Sequence, residues 1–123
     1  MKRRGLFLAA DITGSKKPEE VTGELREALP AGFKKPIQIG LHRLGRPGAR
    51  TWGAVHFPTG MLLSSGATAD AAFEGAVRNM STMKAHGAFV PPEELFAKLV
   101  SRHPVINTEL KSPYQAKAHD DKK

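Results

Sequence analysis

With 123 residues, 40% of them hydrophobic and 25% charged, the chain has the composition of one ordinary globular domain, large enough for a real core and too short for two. Its formal net charge of +7 favours acidic partners, either polyanions or acidic protein surfaces. Zero cysteines exclude disulfides and thiolate metal sites, which fits a cytoplasmic protein, and no apolar run is long enough to cross a bilayer as a helix.

Lys2-Arg3-Arg4 ahead of Leu6-Phe7-Leu8-Ala9-Ala10 has the outline of a secretion signal, but Asp11 cuts the apolar run short and no cleavage site follows. Gly5 to Ile12 reads instead as a strand, with Leu6, Leu8 and Ala10 on one face and Phe7 on the other, ended by Thr13-Gly14-Ser15. Pro18 suits the first turn of a helix and Glu19 and Glu20 its N-terminal end. Val21, Leu25, Ala28 and Leu29 supply a narrow apolar stripe for that helix, and Pro30 with Gly32 closes it. Gly23 weakens it by up to about 1 kcal/mol relative to alanine.

From Pro36 to Gly87 the punctuation is stronger. Ile37, Ile39 and Leu41 alternate with Gln38, Gly40 and His42, a strand with one buried face. Gly45-Arg46-Pro47-Gly48 permits a reversal. After it Val55 and Phe57 point one way while Trp52, Ala54 and His56 point the other. Pro58-Thr59-Gly60 is a second turn, and Met61 to Ser65 a third short strand. Ala69, Ala72, Phe73, Ala76, Val77, Met80 and Met83 then recur at helical spacing behind Thr68, an N-cap candidate, and Asp70 and Glu74 lie at the favourable end of the helix dipole. Lys84, His86 and Gly87 have the chemistry of a helix end. Pro91-Pro92-Glu93-Glu94 opens another helix, buried along Leu95, Phe96, Leu99 and Val100 and stopped by Pro104. Residues 105–110 read as a short extended piece on the core, and 111–123 as a flexible basic polar tail. The expected fold is α+β: residues 1–110 form one domain, a mostly antiparallel sheet of three or four strands packed on two or three helices in the order β-α-β-β-β-α-α.

The distribution of charge says more than its sum. From Ala28 to Ala69 there is no Asp or Glu, while Lys34, Lys35, Arg43, Arg46 and Arg50 all lie there. The helical segments mix signs, with Glu19, Glu20, Glu24 and Glu27 set against Arg26. A one-sided cationic layer attracts a phosphate backbone. If His42, Trp52 and His56 share one face of the hairpin, Trp52 beside the arginines could stack on an unpaired base. A lone tryptophan in a small domain is, however, more often part of the core.

The order helix, strand, strand, strand, helix from Pro18 to His86 resembles that of the double-stranded-RNA-binding domain, over a little more than half the chain. In that family lysines at the start of the final helix hold phosphates. The matching positions here, Ala67-Thr68-Ala69-Asp70-Ala71-Ala72, carry an acid and no lysine, and Arg46-Pro47-Gly48 falls near the groove-reading loop without the family's histidine pattern. The resemblance is one of topology, so double-stranded RNA is not the expected ligand.

Catalytic signatures are sparse. His42 and His56 could meet across neighbouring strands with Asp11 beside them, the makings of a small hydrolase site, yet no spacing brings three or four metal ligands together. Gly45-Arg46-Pro47-Gly48 lacks the Gly-Lys-Ser/Thr ending of a phosphate-binding loop, and Ser64-Ser65-Gly66 reads as an ordinary strand-to-helix turn. No catalytic residue, metal or cofactor is therefore expected. The sequence points to a non-enzymatic nucleic-acid-binding or nucleoprotein-accessory protein that contacts DNA or RNA through Lys34, Lys35, Arg43, Arg46 and Arg50, with Trp52 as a stacking candidate. The alternative is an adaptor or inhibitor that docks its basic face or a sheet edge on an acidic protein.

Overall fold

Alternation of side chains between two faces governs five segments of this chain. The computed structural model describes residues 3–10, 18–44, 50–84 and 89–111. Within them lie β1 (Arg3–Ala9), β2 (Glu19–Ala28), β3 (Ile37–Arg43), β4 (Trp52–His56), β5 (Met61–Gly66), α1 (Ala69–Ser81) and α2 (Pro92–Val100). The strands form a single antiparallel meander in the order β1-β2-β3-β4-β5. The α+β class and antiparallel sheet agree with the sequence reading, but the described strands number five and the order is β-β-β-β-β-α-α.

The correction falls on residues 18–29, which are strand and not helix. Val21 and Leu25 are four apart, an interval that suits one face of a helix and one face of a strand equally. Pairing decides the matter: β2 lies between β1 and β3, with Phe7 opposite Val21 and Leu25 opposite Gly40. Gly23, a weakness in a helix, has a use in the sheet. A Cβ there would sit 2.9 Å from the Phe7 ring. With this helix gone, the topology of the double-stranded-RNA-binding domain is absent.

One face of the sheet carries Ile39, Leu41 and Ala54, and both helices pack on it. Ala72, Ala76 and Met80 of α1 and Phe96 of α2 complete this core, with Phe33 from the β2–β3 turn against Phe96. Thr68 caps α1 as expected, its hydroxyl accepting the Ala71 N–H at 3.0 Å. α1 ends at Ser81, earlier than the Lys84-His86-Gly87 signal suggests. At this end the Ser81 and Thr82 hydroxyls donate back to the Val77 and Arg78 carbonyls, side-chain bonds that compete with the helical ladder. Residues 85–88 lie outside the described part.

The other face holds a second core of Phe7, Leu25, Val55 and Phe57. Here the sheet curls on itself: the Ala10 N–H, beyond β1, donates to the Gly60 carbonyl in the β4–β5 turn at 3.0 Å. Residues 105–111 close the gap. The Asn107 amide donates to the Leu8 and Phe57 carbonyls at 2.7 Å each, and its oxygen accepts the Leu8 N–H. Lys111 then pairs with Leu6 in an antiparallel bridge and Leu110 packs on the second core. The expected extended piece on the core is thus a clasp, and the tail beyond residue 111 lies outside the described residues.

Candidate nucleic-acid interface

The β3–β4 hairpin positions the cationic groups. Its arms remain paired beyond the strands, with the Leu44 N–H donating to the Thr51 carbonyl at 2.8 Å. The cross-strand partner of Arg43 is Trp52. Trp52 is half-buried, with its indole against the helix-covered core, and the Arg43 guanidinium carbon stands 5.2 Å from the ring centroid. That geometry is a cation–π stack. Arg43 and Arg50 are both exposed at this end, where the chain passes from β3 to β4, and Arg46 lies outside the described residues.

Lys34 and Lys35 are elsewhere. They precede β3, so the seven-residue strand separates them from Arg43 by roughly 25 Å. Both are exposed, and their backbone N–H groups donate to the Glu93 carboxylate at 2.9 and 3.3 Å. The sequence offered no sign that a helix-start glutamate would sit beneath this turn. The structure therefore brings Arg43, Arg50 and Trp52 together and leaves the lysine pair beside an acid at the opposite end of β3.

The sheet is also divided electrostatically. β2, read from sequence as a helix of mixed charge, supplies Glu19, Glu20, Glu24 and Glu27 to the half formed with β1. Arg26 is engaged by Glu24 and by Asp70 of α1 and lies over the Phe73 ring at 5.2 Å, tying β2 to α1. β3, β4 and β5 carry no acid.

The histidines do not form a site. His42 pairs with Gly53, so it shares a face with Val55 and not with Trp52 and His56, which corrects the expected register by one residue. His42 lies edge-on to Phe7 and its Nδ1–H donates to the Arg43 carbonyl at 2.9 Å. His56 is on the opposite face, edge-on to Phe96, with Nδ1 2.8 Å from the Thr59 hydroxyl. Burial lowers the pKa of both; that of His56, with His103 adding repulsion, falls to about 4. Both rings are therefore neutral near pH 7 and serve as packed side chains. Asp11, the third member of the hydrolase reading, lies outside the described residues. Among the described residues no group of three metal-ligating side chains comes together, and no helix is long and apolar enough to cross a membrane. Set against known proteins, the chain matches no family model, no curated protein and no solved structure.

Proposed function

We propose that this is a small, non-enzymatic nucleic-acid-binding or nucleoprotein-accessory protein that grips the phosphate backbone with the end of its β3–β4 hairpin where Arg43 meets Trp52. The observation that carries the reading is Arg43 stacked on Trp52 with Arg50 exposed beside it, in a stretch from residue 28 to 69 that holds no acid. A guanidinium held over an indole loses less freedom on binding than a free one, and its planar donors match phosphate oxygens. Trp52, anchored in the core, acts first as the seat for Arg43, and its exposed edge is the surface available to an unpaired base. Arg46, between the two strands in sequence, adds to the charge of the same acid-free stretch. Lys34 and Lys35 act as a separate contact at the far end of β3.

The test is a titration of labelled single- and double-stranded DNA and RNA over a range of salt concentrations. Affinity should fall linearly with the logarithm of salt concentration. Replacing Arg43 and Arg50 together by alanine should lower the slope by about two if each meets one phosphate. An affinity that ignores salt, or a slope unchanged in the double variant, would sink the reading.

A further inference from the structure

β5 is the last strand of the sheet, and among the described residues no strand pairs with its outer side. β1, at the other margin, is held by the Lys111 bridge and the Asn107 amide. Outer strands commonly carry a lysine or a proline that discourages a further strand. β5 has neither. Its sequence is Met-Leu-Leu-Ser-Ser-Gly, and residues 57–69 around it contain no ionisable acid or base.

What β5 has instead comes from α1. The register between β4 and β5 slips by one, with Val55 opposite Leu62 and Ala54 opposite Ser64. Leu63 is therefore the extra residue of a bulge and has no partner on β4. Its carbonyl accepts the Asn79 side-chain amide at 2.9 Å. Gly75 lets α1 lie close enough for this, since a Cβ there would collide with the Ser64 hydroxyl. Asn79 follows four residues on, along the same side of the helix. At the start of the strand the Met61 N–H donates to the Thr59 hydroxyl at 3.3 Å. Asn79 is exposed, so its bond adds little to stability, but it decides whether the Leu63 carbonyl is open to another chain. We infer that Asn79 is a guard that keeps β5 of one copy from pairing antiparallel with β5 of a second. A twofold axis would set the same uncharged strand against itself, so no like charges would meet along the seam to prevent it.

The test is Asn79→Ala, which keeps a strong helix former at an exposed site. Sedimentation velocity over a range of protein concentrations should show a monomer for the unaltered chain. The variant should reach at least twice that apparent mass, with an unchanged circular dichroism spectrum. Each copy carries a net +7, so association of the variant should strengthen as salt is added, opposite to the trend for an oligonucleotide. Hydrogen exchange should slow in β5 of the assembled variant. Adding Ser65→Lys, a cation at an exposed position of β5, should return it to monomer. Asn79→Asp has nearly the same shape and no proton to donate at neutral pH, so it should associate likewise and serves in place of alanine if alanine disturbs the fold. Variants that stay monomeric at the highest concentration, protection outside β5, or association indifferent to Ser65→Lys would overturn the inference. So would an unaltered chain that already pairs through β5.

Discussion

The two faces of the sheet are closed by opposite means. On the helix-covered face, Ile39, Leu41 and Ala54 meet two helices, and the load is spread over Ala72, Ala76, Met80, Phe96 and Phe33. On the curled face the core is only Phe7, Leu25, Val55 and Phe57, and the Phe7 ring lies against the strands themselves: it contacts Phe57 and His42, and is so close to Gly23 and Gly40 that a Cβ at either would meet it at 2.8–2.9 Å. A core with many small contributors yields in small steps, whereas one of few side chains, with a ring seated on glycine-lined strands, loses more when that ring or its bed is changed.

The largest test of this contrast is Phe7→Ala, expected to cost about 3–5 kcal/mol in urea unfolding, more than Met80→Ala on the other face. An equal or smaller loss than for Met80→Ala would break the comparison. Acid should act on both faces at once. His42 and His56 are held neutral, so the unfolded chain takes up protons first and stability falls as pH drops below about 6.5, down toward the folded His56 value of about 4. Unfolding free energies measured between pH 6.5 and 5 should show about 1.5 kcal/mol lost through His56, and a His56→Gln variant should lose correspondingly less over that window. Gly40→Ala should cost about 1–2 kcal/mol through overpacking against Phe7. The same change in a Phe7→Leu background should cost less, a coupling that a double-mutant cycle reads directly. The smallest effect belongs to Thr68→Ala, about 1 kcal/mol from the lost cap on α1.

What could be read from the sequence follows the same physics. β1, β3, β4, β5 and both helices carried one clear period each, bounded by glycine, proline or a cap, and each is present, although β1 runs from Arg3 to Ala9 instead of Gly5 to Ile12 and α1 stops at Ser81, ahead of its glycine. β2 did not, because Val21 and Leu25 satisfy either period and Pro18-Glu19-Glu20 has the chemistry of a helix start. Only long-range pairing with β1 and β3 resolves it. The Asn107 clasp carried no local signal at all, since its partners are distant in sequence. At the hairpin the residue types were visible but their pairing was not: a slip of one position separates the expected His42–Trp52 face from the Arg43–Trp52 stack. The acid-free stretch was equally plain, yet it crosses both ends of β3, so a single run of letters became two separate patches.

The Asn107 amide also sets a timetable for the ribosome. Its contact with Leu8 spans 99 residues, so the first strand emerges long before the side chain that fastens its outer edge. During synthesis that edge waits with open hydrogen-bonding groups, a template for mispairing with neighbouring nascent chains. Fastening of that edge therefore has to follow the synthesis of residue 107, and until then it stays open to mispairing.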